Sequence, residues 1–238
     1  MRTRVHSRPF EAGDHACAVY SSRTQRVRLA ARYLSDGLDR HEQCWYIGTR
    51  QDSVAVRAAL RRRGVDLEGQ TRRGAFRIVL PGDVYVVDGA FNPDRASRVF
   101  SDAITQSLVD GFRGFRVAAD MAWAAAIPGC AEQLVTYEAQ ARSVFAASRA
   151  MALCLYNRRG TPLNVLDGAL ATHPLTVAAA GHAIQNPFYE RDRTAMPLAN
   201  GGELTAKLHE LTRLARGARR SSRASTTATA SSDRGTGR

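Results

Sequence analysis

The sequence predicts an α/β fold in which a mostly parallel sheet is flanked by helices. Apolar runs rich in β-branched and aromatic residues alternate with segments of helical periodicity, the pattern of strand and helix units that alternate along a chain. Asparagine or threonine followed by proline marks two predicted helix starts, at Asn92-Pro93 and Thr161-Pro162. The chain has 238 residues, 44% of them hydrophobic, so it can bury one substantial core.

The predicted elements follow one another in a repeated order. The strands are His15 to Tyr20, Gln43 to Gly48, Ala75 to Leu80, Phe115 to Asp120, Ala150 to Tyr156 and Leu175 to Ala179. The helices are Gln25 to Leu38, Ser53 to Arg63, Pro93 to Asp110, Ala131 to Phe145 and Pro162 to Ala171. Between a strand end and a helix start, the segment Gly82 to Asn92 is predicted to be a loop able to cover a pocket.

Composition divides the chain into four parts. Residues 1–10 are predicted to be an N-terminal extension and 11–190 the main domain. Residues 191–216 are a linker with a short helix from Gly202 to Arg216, and 217–238 are an Arg/Ser/Thr-rich tail predicted to be disordered. The net charge is +12, and about half of this excess lies in Arg213 to Arg238. That tail contains no aromatic residue for base stacking, so it predicts either a weak nucleic-acid contact or a solvated segment.

The four cysteines predict a reduced cytoplasmic protein without a cofactor. Cys17, Cys44, Cys130 and Cys154 have no C-x-x-C spacing, and three of them lie in apolar runs. Together with His15, they also lack the spacing of a metal site, so no metal is expected. No apolar run is long enough to span a membrane, and residues 1–10 lack the apolar core of a signal peptide, so no membrane partner is expected.

The loop Ser21 to Gln25 occupies the position where a nucleotide-binding domain would hold phosphate. A phosphate loop needs glycines followed by lysine and serine or threonine, and this loop contains no glycine and no lysine. Asp120 follows an apolar strand, where an ATPase keeps its Mg²⁺-linked aspartate, but half of the hydrolytic apparatus is missing. Glu132 and Glu138 do not form a catalytic carboxylate pair, and no motif of a hydrolase is present, so no enzymatic activity is expected.

Two resemblances follow from the order of these segments. Leu34 to Leu38, Cys44 to Gly48 and Arg63 to Leu67, placed as they are after the first strand, resemble the start of RecA/KaiC-like ATPase domains. More specifically, the chain resembles the MEDS family, a sensory domain named after methanogens, methylotrophs and the dichloromethane regulator DcmR. The segments that carry this second resemblance are Gly13 to Tyr20, Val117 to Ala124, Leu153 to Tyr156, Thr172 to Leu175 and Asn186 to Tyr189.

The MEDS resemblance implies a RecA/KaiC-like three-layer sandwich without a functional P-loop, used to sense small organic signals. Partners implied by the resemblance are a kinase, an anti-sigma protein or a transcription factor. The chain departs from the family pattern after Tyr20, where Ser21, Ser22 and Arg23 replace acidic residues, and at Asp120, which replaces a glutamate. The first departure removes acidic groups from the loop where a ligand contact is expected, and the second shortens the acidic side chain at position 120.

The hypothesis is a non-catalytic sensory domain that binds a small organic ligand near Tyr20, Asp120, Trp123 and Tyr156 and modulates a partner. For each candidate a structural role is the alternative: a turn, a helix cap, core packing or a helix C-terminus. Two other functions stay open, a nucleic-acid-associated protein that binds through its tail and a nucleotide-binding pseudo-ATPase. The candidate ligand-binding residues are Asp14, His15, Tyr20, Ser21, Ser22, Arg23, Asp120, Met121, Trp123, Tyr156 and His173.

Overall fold

The computed structural model describes residues 7–177, 181–191 and 200–232, with side chains described as far as Arg216. Several predicted features lie partly outside these residues. They are the start of the N-terminal extension, the end of the strand predicted at Leu175 to Ala179, most of the linker before residue 200, and the last six residues of the tail.

The described part of the chain alternates strands and helices. The strands are β1 His15–Tyr20, β2 Gln43–Ile47, β3 Phe76–Val79, β4 Val86–Val87, β5 Ala90–Phe91, β6 Phe115–Asp120, β7 Ala150–Asn157, β8 Leu175–Val177 and β9 Ala183–Gln185. The helices are α1 Arg23–Asp39, α2 Arg50–Arg62, α3 Leu67–Arg72, α4 Pro81–Val84, α5 Pro93–Val109, α6 Cys130–Ala146, α7 Leu163–Thr172 and α8 Gly201–Ser232. A 3₁₀ helix, Met121–Ala126, follows β6.

Seven strands form one twisted layer in the order β3-β2-β6-β7-β1-β8-β9. All neighbours are parallel except β8 and β9, which pair antiparallel at one edge. The predicted α/β fold with a mostly parallel sheet is confirmed. Because consecutive parallel strands need crossover connections, helices cover both faces of this sheet.

Each face of the sheet has its own hydrophobic core. Helices α1, α2 and α3 cover one face, where Tyr46 and Leu153 are buried. Helices α5, α6 and α7 cover the other, where Val117 and Cys154 are buried, and Leu204 of α8 joins this core. The alternation of side chains along a strand assigns neighbouring residues to opposite cores, so the face of each site residue follows from its register.

The structure departs from the predicted elements in two places. The segment Gly82 to Asn92 is not a loop throughout, since it contains part of α4 and the antiparallel pair β4–β5. Helix α8 continues to Ser232, through part of the tail predicted to be disordered.

A buried ion pair anchors α1 to the sheet. Nε of Arg116, on β6, lies 2.6 Å from Oε2 of Glu42, and its Nη1 donates to the carbonyl of Tyr33 at 3.1 Å. A Cβ added at Gly37 would lie 2.6 Å from the Arg116 guanidinium, so α1 passes this side chain at the distance that glycine allows. The charge of Arg116 is thus enclosed by one carboxylate and by helix backbone.

Within the described ranges, no helix combines the length and the hydrophobicity needed to cross a bilayer.

Replacement of Glu42 by alanine should lower the free energy of unfolding by about 3 kcal/mol, because it leaves the Arg116 guanidinium buried without a counter-charge. Urea unfolding followed by circular dichroism measures this change. The exposed pair of Arg61 and Glu68 provides the control, and Glu68→Ala should leave the urea midpoint unchanged. Equal midpoints for Glu42→Ala and the wild type would contradict the anchoring role.

Candidate ligand sites

The turn between β1 and α1 is too short to surround phosphates. Only Ser21 and Ser22 separate the last residue of β1 from the first residue of α1. Oγ of Ser22 accepts from the backbone N–H of Gln25 at 3.2 Å and so caps the helix, while the N–H of Ser21 donates to Oε1 of Gln25 at 2.9 Å. The local hydrogen-bonding groups of this turn are therefore used in forming the turn itself.

Arg26 occupies the carboxyl edge of the sheet beside this turn. Its guanidinium bonds to Asp120 at 2.5 Å and also to Asp52, and the hydroxyl of Tyr20 donates to Oδ1 of Asp120 at 3.0 Å. Burial raises the pKa of Asp120, although Arg26 and Tyr20 oppose that shift. The predicted proximity of Tyr20 and Asp120 is seen, but both are bound to a basic residue that the sequence analysis did not select.

The candidates predicted to share one ligand pocket lie in cores on opposite faces of the sheet. Tyr20 belongs to the core under α1, whereas Met121 and Tyr156 belong to the core under α6. Trp123 packs against that second core, stacked on Tyr85 with ring centroids 4.7 Å apart. Tyr20 and Asp120 therefore do not share one pocket with Trp123 and Tyr156.

A second group of polar side chains is buried between β1, β7, α6 and α7. Oε2 of Glu138 lies 3.3 Å from Nε2 of His15 and 3.4 Å from Nε2 of His173. Sγ of Cys154 lies 3.6 Å from the same His15 nitrogen and 3.8 Å from Oε2 of Glu138. We call His15, Glu138, Cys154 and His173 the buried cluster; each is at most 6% exposed.

Neighbouring groups fix the orientation of the cluster. The hydroxyl of Tyr156 donates to Oε1 of Glu138 at 2.8 Å, which leaves Oε2 directed at the histidines. Nδ1 of His173 lies 2.7 Å from the carbonyl of Ala169, so Nδ1 carries the proton. Nε2 of His173 consequently faces the cluster, 3.4 Å from Oε2 of Glu138, and it has no hydrogen-bond partner.

Burial and mutual charge set the protonation of these groups. Burial and the charge of His173 lower the pKa of His15 to about 4, against the opposing effect of Glu138. Burial alone would raise the pKa of Glu138, but the two neighbouring histidines hold it below its ordinary value. Burial raises the pKa of the Cys154 thiol well above its ordinary value.

A small void adjoins the buried cluster. Its volume is about 10 Å³, enough for one water-sized particle, and aromatic rings of Tyr85, Phe100 and Phe145 form part of its wall. Tyr85 is the residue of the segment Gly82 to Asn92 that lines this void. Organic molecules larger than a single atom or water do not fit there without rearrangement.

A larger cavity lies at the carboxyl ends of β1 and β8, between α1 and α8. Its volume is about 300 Å³. Leu208 and Leu211 of α8 line one side, and Ser21 and Gln25 from the start of α1 line another. Further lining residues are Ala18, Val19, Arg28, Leu29, Arg158, Thr176, Val177, Thr212, Ala215 and Arg216.

The other candidates have structural contacts. Asp14 accepts two hydrogen bonds from the Arg8 guanidinium, at 2.7 and 2.8 Å, and one from the backbone N–H of Glu11 at 2.8 Å. Arg23 is exposed and donates to the carbonyl of Gln51 at 3.3 Å. Asp14 thus stabilises the turn before β1, which agrees with the alternative interpretation in the sequence analysis.

Sequence reasoning missed Arg26, Glu138 and Cys154. Glu138 was considered only as a partner of Glu132, although a glutamate on the apolar face of a helix is itself a signal of a buried polar site. Cys154 was assigned to core packing because its spacing from His15 and Cys17 matches no metal motif. The partners of these residues come from distant segments, so spacing carries no information about them.

The fold and the buried cluster define an α/β protein with an enclosed polar site in its core. At the carboxyl edge of its sheet, the charged groups are paired with one another. A family model of the MEthanogen/methylotroph, DcmR Sensory domain matches residues 14–174, and the chain belongs to this MEDS family. The predicted family is confirmed.

Two solved structures resemble this chain in fold. One is a KaiC-like protein, PH0186, from Pyrococcus horikoshii OT3, with 13% identity, a TM-score of 0.49 and coverage of 70% of this chain and 71% of that one. The other is the flagellar accessory protein FlaH from Methanocaldococcus jannaschii, with 11% identity, a TM-score of 0.46 and coverage of 71% of each chain. No curated protein matches the sequence.

The Asp120→Asn variant should be less stable than the wild type by about 3 kcal/mol, because buried Arg26 loses one of its two carboxylate partners. Tyr20→Phe, which removes only one hydrogen bond, should cost about 1 kcal/mol. Chemical unfolding measures both. Exposed Arg23 supplies the control, and Arg23→Ala should match the wild type; a loss in that variant equal to the loss in Asp120→Asn would contradict this assignment.

Proposed function

We propose that this protein is a non-catalytic sensor that binds a small organic anion in the cavity beside α8 and signals to a regulatory partner. The observation that carries the proposal is the cavity of about 300 Å³ between α1 and α8. Ligands of open α/β proteins bind at the carboxyl ends of the strands, which is where this cavity lies. The sensory role of the MEDS family supports the same general function.

The cavity lining favours an amphipathic ligand with a negative charge. Arg28, Arg158 and Arg216 contribute positive charge, whereas Leu29 and Leu211 contribute apolar surface. The N-terminus of α1 adds the partial positive charge of the helix dipole. A volume near the lower limit for ligand pockets restricts the ligand to a small molecule, such as a short carboxylate.

Helix α8 provides a route from the ligand to the partner. Leu208 and Leu211 line the cavity and also belong to the core that α8 shares with α6 and α7. A ligand that fills the cavity therefore contacts the residues that hold this helix in place. If two positions of α8 differ in ligand affinity, the ligand shifts the population between them. A kinase, an anti-sigma protein or a transcription factor that contacts α8 would respond to that shift.

The closed edge of the sheet argues against ATP hydrolysis. Arg26 lies where a nucleotide domain would keep its metal, and it is bound to Asp120 and Asp52. The capped turn of Ser21 and Ser22 leaves no backbone cradle for phosphates. A non-catalytic sensor explains these features without an unused active site.

The carboxylates from acetate to octanoate should raise the melting temperature of the full chain, since a ligand of the folded state stabilises it. Alcohols of the same lengths should have smaller effects, because they lack a charge for the arginines. Arg158→Ala should weaken carboxylate binding about tenfold. Differential scanning fluorimetry and isothermal titration calorimetry measure these effects.

Two tryptophan variants of α8 locate the binding site. Ala215→Trp should fill the cavity and abolish the response to carboxylates. Arg213→Trp is the matched control, because the Arg213 side chain is 68% exposed and bonds to Glu210 outside the cavity. A response that persists in Ala215→Trp, or that disappears equally in both variants, would refute this site.

Purified protein should not hydrolyse ATP or GTP with Mg²⁺ above the rate of a blank. Phosphate release assays measure this, with Asp120→Asn as the matched variant. Hydrolysis that is present in the wild type and absent in Asp120→Asn would establish an enzyme and overturn the non-catalytic proposal.

A further inference from the structure

We propose that the buried cluster is a binding site for one divalent transition-metal ion of the zinc type. His15, Glu138, Cys154 and His173 each offer one ligand atom, and these atoms all lie within 4.8 Å of one another. This site is separate from the α8 cavity and does not depend on the proposed sensing of an organic anion.

The distances fit four ligands around one ion. Zinc bonds of about 2.0 Å to nitrogen or oxygen and about 2.3 Å to sulfur give tetrahedron edges of about 3.3 to 3.8 Å. Four of the six distances between the ligand atoms, those of Glu138 to both histidines and of Cys154 to His15 and Glu138, are 3.3, 3.4, 3.6 and 3.8 Å. The other two distances, from His173 to His15 and to Cys154, are at most 4.8 Å, so the four ligand atoms lie close to the spacing that one ion requires.

Two of the four members, His173 and Glu138, have the outer contacts that metal ligands need. A metal-bound histidine usually donates its other N–H to a carbonyl or carboxylate, as His173 does toward Ala169 at 2.7 Å. A metal-bound carboxylate is usually hydrogen-bonded on its other oxygen, as Glu138 is by Tyr156 at 2.8 Å. Both contacts direct the remaining lone pairs inward.

Without a cation, those inward lone pairs oppose each other. Nε2 of His173 is fully buried, has no hydrogen-bond partner and faces the carboxylate of Glu138, which is also an acceptor. Buried polar atoms in such a position are costly unless a proton or a metal lies between them. A divalent ion would satisfy both lone pairs at once.

The ligand types select the metal. Thiolate and imidazole favour zinc, cobalt or iron and disfavour Mg²⁺ and Ca²⁺, which take oxygen ligands. With Cys154 deprotonated on binding, one thiolate and one carboxylate neutralise a 2+ ion, which suits a site enclosed by apolar side chains. Four protein ligands leave no open position, as in sites that hold elements together. The ion would fasten α6 and the end of α7 to β1 and β7.

Expression of the full chain in cobalt-supplemented medium tests the site. The purified protein should contain about one equivalent of cobalt and show a thiolate-to-cobalt charge-transfer band with the strong visible absorption of tetrahedral Co²⁺. Cys154→Ala should lose the charge-transfer band. Cys17 is equally buried and pairs with Cys154 on the neighbouring strand, so Cys17→Ala is the matched control and should keep the band.

Zinc affinity gives a second measurement that does not depend on cobalt. Competition with a chelator should show that Glu138→Gln binds Zn²⁺ at least about 100-fold more weakly than the wild type, while Tyr156→Phe, which removes an outer contact, loses about tenfold. Zinc should raise the melting temperature of the wild type and not that of Glu138→Gln. Folding of each variant is checked by circular dichroism, and the two substitutions at different ligands keep the test valid if one variant does not fold.

The following results would overturn the proposal. The purified chain contains no stoichiometric metal and gains no stability with zinc or cobalt, which would leave a proton between His173 and Glu138. Alternatively, Cys17→Ala and Cys154→Ala lose the band equally. The Ala215→Trp variant should keep its metal, so failure of the α8 cavity and failure of the metal site are distinguished.

Discussion

The buried carboxylate of Glu138 constrains the part of the fold under α6. A carboxyl group in an apolar core is stable only where other polar groups surround it, and here they come from β1, β7 and the end of α7. The relative positions of these elements are therefore coupled. A change in any one of them would leave the buried carboxyl group without one of its partners.

Polar groups also surround a buried side chain at the carboxyl edge of the sheet, and this side chain is a cation. There the guanidinium of Arg26 is buried, and Asp120 and Asp52 neutralise it. In a nucleotide-binding protein this edge is left open for phosphate and metal. In this chain the guanidinium of Arg26, on α1, occupies this edge. The polar interactions there therefore stabilise the fold.

Unlike these two sites, the cavity beside α8 has room for a small molecule. Its walls combine the sheet edge at β8 with a helix that contributes a few leucines to the core. Elements held by few buried contacts are those that move most readily when a ligand binds. A ligand bound in this cavity would contact α8 directly, which is compatible with the sensory role of the MEDS family.

The sequence by itself determined the alternation of strands and helices, because the period of apolar residues is a local property. It located β1 at His15–Tyr20 and β6 at Phe115–Asp120 to the residue, and the absence of glycine and lysine from Ser21 to Gln25 was enough to argue against a phosphate loop. It did not reveal the short pair β4–β5, whose stability depends on aromatic contacts with Trp123 and Tyr137.

The tertiary structure alone decided the composition of the sites. Parallel strands are paired through long crossovers, so the order β7-β1-β8 brings His15, Cys154 and His173 together although they are far apart in the chain. Helix α6 then places Glu138 over them, and a one-residue change of register would turn His15 to the opposite face of the sheet. Spacing along a sequence reports only neighbours on one element, and this cluster contains no two residues from the same element.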